Sequence, residues 1–144
     1  MNINKFTQKS LEAVQNIEKI AYEYGNQQLT QEHLLLALTE LDNSLIVSLL
    51  ERMNINIDDF KNDLRAATAA LPKVSGNASV YMGADLNKVL VNAGDEAKAM
   101  GDDYVSVEHL FLRLIKEASP AVKKLFTKYG IDRDSFLKVL SEVR

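Results

Sequence analysis

Cysteine is absent from the 144 residues, which excludes disulfides, thiolate metal clusters and thiol nucleophiles. Long apolar runs are absent too. The densest, Leu34 to Leu38, is far short of the roughly 20 residues that span a bilayer. The opening Met1-Asn2-Ile3-Asn4-Lys5 has no apolar core of the kind a secretory signal carries, and no Arg-rich, acid-poor transit pattern follows. The default expectation is a cytoplasmic protein. Charge of one sign is also missing: 17 basic against 20 acidic residues give a net charge of -3, which disfavours a general polyanion-binding role. The six glycines never reach the G-x-x-x-x-G-K-[ST] spacing, so no phosphate-cradling loop of that type is expected. There are only two histidines, His33 and His109, and neither has a second histidine one helical turn away, so no metal site is predicted. Each is read instead as a first-turn residue bonded to the start of its helix. A carboxylate pair for acid/base work needs a contrast in burial that a sequence does not reveal, and Asp58, Asp59, Asp63, Asp95, Glu96, Asp102 and Asp103 are read as a solvated face. Lys123, Lys124, Lys128 and Lys138 form a short basic strip without the aromatic interleaving that single-stranded nucleic acid would use. No nucleic-acid or membrane partner is expected.

What the chain does contain is 47% apolar and 26% charged residues, enough for a packed core, and an internal repeat. A fixed offset of 76 residues aligns its halves without a gap. Glu32-His33-Leu34 falls on Glu108-His109-Leu110, and Ile55, Asp58, Phe60 and Leu64 fall on Ile131, Asp134, Phe136 and Leu140. Residues 30–64 and 106–140 share 10 identities in 35 positions, where composition alone gives about two. Apolar residues recur at spacings of three and four, and no segment alternates over a strand's length. The prediction is an all-α fold: eight helices as two copies of a four-helix repeat, packed about a pseudo-twofold axis into one domain of residues 1–144. Repeat one is residues 1–71, a connecting loop rich in Pro, Gly, Ser and Asn follows at 72–80, and repeat two is residues 81–144. Gly25 and Gly101 read as helix stops, and Thr30, Ser106, Asn56 and Asp132 as N-caps.

In the first helix of each repeat, phasing on Phe6 and on Met82 puts Phe6, Ala13, Val14, Ile17, Ile20, Ala21 and Tyr24, or Met82, Leu86, Val89, Leu90, Ala93, Ala97 and Met100, on a core arc. Leu11, Tyr22 and Val91 are left pointing outward, and these are read as the apolar part of a shallow groove for weakly bound partners.

Phe6-Thr7, the motif Glu32 to Leu38, its partner Glu108 to Leu112, and Ile55 to Phe60 repeated at Ile131 to Phe136 resemble the Clp N-terminal domain, the duplicated module at the head of the Clp ATPases. Leu71-Pro72-Lys73-Val74-Ser75-Gly76 is more similar to its disaggregase branch, ClpB, than to its protease-partner branch, ClpC or ClpA. The resemblance implies a binding module without a catalytic centre, which engages unfolded or aggregated polypeptides and passes them to a hexameric AAA+ ring. ATP and magnesium belong to ring modules outside this segment, so the segment itself has no cofactor and is expected to be monomeric. The helix from Phe136 to Arg144 carries no ending signal, which suggests that the chain continues. The client-facing residues implied are Thr7, Asp102 and Glu108, joined by Leu11 and Val91 from the helical geometry. Where disaggregase relatives can place groove leucines this chain has Asn92 and Glu96. In the protease-partner branch the resemblance implies binding of adaptor proteins, or of phospho-arginine near paired threonine and glutamate residues. Thr7 and Glu32 fit one such site, Glu108 is a further contact for it, and Gly83 stands where the second site's threonine would be. A stand-alone small enzyme is the remote alternative.

Overall fold

The computed structural model describes residues 1–76 and 79–144, and of the connecting loop at 72–80, Asn77 and Ala78 lie outside the described residues. A single 3-10 turn, Ile3–Lys5, precedes α1 (Gln8–Glu23), β1 (Gln28–Leu29), α2 (Gln31–Glu40), α3 (Leu45–Arg52) and α4 (Ile57–Ala69). The second repeat follows with β2 (Tyr81–Met82), α5 (Ala84–Ala99), α6 (Val107–Lys116), α7 (Pro120–Lys128) and α8 (Arg133–Val143). The eight predicted helices are all present.

Local chemistry sets their limits. The side chains of Thr7, Ser44, Asn56 and Asp132 accept hydrogen bonds from backbone amides in the first turns of α1, α3, α4 and α8. Gly25 and Gly101 follow the C-caps of α1 and α5 at φ +72 and +73, a left-handed conformation that glycine adopts without a Cβ penalty.

α2 and α6 form the centre. Every residue of α2 from Gln31 to Thr39 is buried, and so are Val107 to Leu112 and Leu114 of α6. The two helices touch each other, and α2 also meets α5 while α3 meets α6, so one core cluster runs across both repeats. Phe111 lies at its aromatic heart, with ring centroids 4.6 Å from Phe136 and 5.3 Å from Phe126.

The pseudo-twofold is visible in the backbone bonds. Thr7 N–H donates to Val105 O at 3.0 Å, and under the 76-residue offset its twin is Gly83 N–H donating to Leu29 O at 2.9 Å. Phe6 bridges Val105, and Met82 pairs with Leu29 in the parallel β1–β2 ladder. These strand pairs are absent from the sequence-based expectation because two residues are too few to display an alternating pattern.

Two further expectations are corrected. Leu11, expected to face outward, is half-buried and packed against the core. Phe6 lies outside α1, in an extended bridge to Val105, yet stays in phase with the buried stripe of the helix, so the error lies in the width of the buried arc. α1 also meets α2, β1 and α6, which widens its buried arc beyond one stripe. Met82, expected in the core arc, belongs to β2 and is exposed. Tyr22 and Val91 do face outward, at 82% and 50% exposure.

A buried amide ties the repeats together. Gln31 Nε2 donates to Asp85 O (3.0 Å) and Glu117 O (2.8 Å), and its Oε1 accepts from Ser119 N–H (2.8 Å). Gln31→Leu leaves all three backbone groups without this partner. The expected loss is about 2 kcal/mol, read as a lowered urea midpoint with an unchanged m-value.

Candidate functional site

Both histidines do the same local work. His33 Nδ1 accepts from Thr30 N–H at 2.9 Å, and His109 Nδ1 accepts from Ser106 N–H at 2.9 Å, each reaching back to the N-cap amide of its helix. The proton therefore sits on Nε2, which donates to Asn26 Oδ1 (2.9 Å) in the first repeat and to Asp102 Oδ2 (2.8 Å) in the second. Among the described residues no cluster of side chains suits a metal ion.

Asn26 and Asp102 are partners under the offset, and the exchange carries information. Asn26 shows that the histidine needs only an amide oxygen, so the negative charge of Asp102 is surplus to that contact. The charge meets the Arg144 guanidinium, whose Nη2 is 2.6 Å from Asp102 Oδ2 and 3.2 Å from Glu108 Oε2. Arg144, with His109 as a lesser influence, holds the Asp102 carboxyl below the usual carboxylate range. In the first repeat the position equivalent to Arg144 is Thr68, which is buried and bonded to its own helix.

Thr7 reaches the same region from the other repeat. It caps α1, and its amide joins Ser10 Oγ (2.8 Å) in donating to Val105 O, one residue before the N-cap of α6. Thr7, Asp102 and Glu108 thus converge at one end of the seam between the repeats. Thr7 and Glu32, expected to share a site, do not. The pseudo-twofold crosses the partners, so Glu32 lines a cleft of about 310 Å³ with Gly83, Asp85, Ser119 and Pro120. A Cβ at Gly83 would stand 2.6 Å from Leu29 O, so a threonine there requires a backbone shift. Glu32 is buried, which raises its pKa.

Asn92 and Glu96 turn the α5 face ionic. Glu96 is buried and takes a two-pronged Arg133 contact at 2.9 and 2.9 Å, with Arg113 Nε 3.2 Å away. Asn92 donates to Glu117 at 2.9 Å. Val91 is exposed on α5 beside this polar surface. Sequence reasoning missed Ser10, Arg144 and the Glu96–Arg133 pair. The offset would have exposed the last, because Glu96, Arg113, Glu117 and Arg133 align with Ile20, Ala37, Leu41 and Ile57.

Comparison with known proteins fits this duplicated architecture. The model of the Clp repeat (R) N-terminal domain matches residues 5–138. The chain belongs to the Clp N-terminal domain family. The chaperone protein ClpB of Clostridium tetani is 36% identical over 148 residues, a span covering all of this chain and 17% of that protein. This Clp N-domain therefore spans about one sixth of the length of that relative. Among solved structures, the Hsp104 N-terminal domain from Candida albicans superposes with a TM-score of 0.84 at 21% identity, covering 97% of this chain and 91% of that one. A ClpV N-domain in complex with a VipB peptide superposes at 0.75 and 20% identity, covering 96% and 89%. These likenesses establish the shared Clp N-domain fold.

Burial holds His33 neutral, with its pKa pushed down to about 4. The unfolded chain takes up this proton first, so the contribution is constant above about pH 6.5 and declines as pH falls from there toward 4. Glu32, raised by burial, opposes the trend, since the folded state binds its proton first and acid relieves that penalty. The expected loss from His33 over this window is at most about 3 kcal/mol by urea denaturation, lessened by Glu32, with the His33 ring resonances titrating near the lower limit.

Proposed function

We propose that this Clp N-domain is the client-binding module of a ClpB-type disaggregase, engaging unfolded segments at the seam where Thr7, Asp102 and Glu108 meet and passing them to an ATP-driven ring. The observation that carries the reading is that the N-cap of α1, from one repeat, is bonded to Val105 at the start of α6 in the other, next to two carboxylates that share the Arg144 guanidinium. With Arg144 between them the two carboxylates keep one net negative charge, giving a mild preference for positively charged chain segments without a shape-specific pocket, which suits weak, promiscuous binding. The identity to ClpB over the whole chain supports the assignment to this branch, and the peptide seated on the ClpV N-domain supports a peptide-sized ligand.

The test is a titration of the domain with reduced, carboxymethylated α-lactalbumin, followed by amide chemical shifts. The expected result is a micromolar or weaker complex, about -8 kcal/mol or less favourable, with shifts clustered around Thr7, Val105 and Glu108. Asp102→Asn is the decisive variant, because Asn26 shows that an amide supports the equivalent histidine, His33. It should leave the thermal midpoint within a few degrees and weaken binding severalfold. Binding that survives both Asp102→Asn and Glu108→Gln unchanged, or shifts confined to other helices, would sink the reading.

A further inference from the structure

The contact of α4 with α7 has a pseudo-symmetric twin in the contact of α3 with α8, and the two differ in one consistent way. On the α3–α8 side the positions are held by Leu49 and Val139, both buried, by the half-buried Leu45, and by Val143, which is 41% exposed at the end of α8. The equivalent positions on the α4–α7 side are Ala121, Leu125, Asp63 and Ala67. Two aliphatic side chains are cut back to methyl groups and a third is replaced by a carboxylate. A groove of about 540 Å³ is left, lined by Asp63, Ala67, Ala121, Lys124, Leu125 and Lys128.

Its floor is hydrocarbon and its rim is charged. Asp63 is already engaged: Lys128 Nζ lies 2.6 Å from its Oδ2, and the Tyr129 hydroxyl donates to the same oxygen. Lys124 has no ion-pair partner among the described residues, so one ammonium overlooks the groove without a counter-charge. The twin supplies the size of the missing group, since a leucine and a valine stand at the positions equivalent to Ala121 and Ala67. We propose that the α4–α7 groove docks a protein segment that presents a leucine- or valine-sized side chain next to a carboxylate, the first filling the space over Ala67, Ala121 and Leu125 and the second pairing with Lys124. Burial of the aliphatic group supplies affinity, and the lysine supplies orientation and preference for an acidic flank. The groove lies on different elements from Thr7, Asp102 and Glu108, and the proposal stands apart from the client-binding reading.

The experiment titrates the 144-residue chain with a short capped peptide of leucine, glutamate and serine, and with a control in which lysine replaces glutamate. The acidic peptide should shift the amides of Ala67, Ala121 and Leu125, and bind about tenfold more tightly than the control. Ala67→Val with Ala121→Leu, which restores the twin's side chains, should lower the affinity about tenfold, and Lys124→Glu should reverse the preference between peptides. Lys124 is exposed, so that variant decides the matter should the filled one fail to fold. Thr7→Ala should leave this binding unchanged, which separates it from the seam. Equal affinity for the two peptides, equal affinity for the filled chain, or shifts only around Thr7 would overturn the proposal. So would concentration-dependent self-association abolished by the filled variant, because the occupant would then be a second copy of the chain.

Discussion

Phe111→Ala is expected to destabilise the domain by about 3–5 kcal/mol, enough to unfold a large fraction of a protein whose total stability is of the usual order of 5–15 kcal/mol. Phe111 is fully buried in α6, the helix that touches α1, α2, α3, α5, α7 and α8. Its ring is stacked at a tilt between Phe126 and Phe136, so truncation removes two aromatic contacts as well as the transfer free energy of the ring. Relaxation cannot close the gap cheaply, because the walls belong to α6, α7 and α8, whose backbones are fixed by caps and by contacts with the first repeat. The twin position is Leu35, also fully buried, and Leu35→Ala should cost less, about 2–4 kcal/mol, because no aromatic pair is lost. Urea unfolding of the two variants measures the difference. Phe111→Ala costing no more than Leu35→Ala would mean that the core collapses around the gap.

The repeat made much of this legible in the sequence. The identity at His33/His109 marks a position where both copies need the same residue for the same contact, those at Glu32/Glu108 and Phe60/Phe136 mark equivalent buried positions with different partners, and periodicity between the glycine stops supplied the helices. The alignment gives equivalent positions, however, and equivalence is not proximity. A pseudo-twofold axis brings each residue to the neighbours of its twin's partner, so Thr7 lies by Val105 and Gly83 lies by Leu29, and the pairing of Thr7 with Glu32 failed. Leu11 failed for a different reason, since helical phase says which way a side chain points and nothing about how many elements surround it. Arg144 left no signal, because the offset pairs it with Thr68, a buried residue with an unrelated role.

The Glu96 cluster gives the other large effect, and its sign depends on how many members are changed. Glu96→Ala removes one carboxylate and leaves Arg133 and the mostly buried Arg113 without their shared counter-charge, at an expected loss of about 3 kcal/mol. Changing the four residues together to those of the first repeat, as Glu96→Ile, Arg113→Ala, Glu117→Leu and Arg133→Ile, removes the charges and the desolvation penalty at once. The result should be neutral or stabilising by about 1–4 kcal/mol, because Ile20, Ala37, Leu41 and Ile57 already pack well at the equivalent positions. Acid provides a second readout. Arg133 holds the Glu96 carboxyl below its ordinary value, so its contribution is present at neutral pH and lost as pH falls through that lowered value. The wild-type acid limb should therefore include this loss, and the fourfold variant should lack it. If the fourfold variant is as unstable as Glu96→Ala, the ion pairs hold α5, α6 and α8 together in a way hydrocarbon cannot. If it is as stable as the wild type, the cost of burying those charges is borne for something other than folding, and the cleft of about 410 Å³ lined by Asp95, Arg113, Lys116 and Arg133 is where that role would be tested.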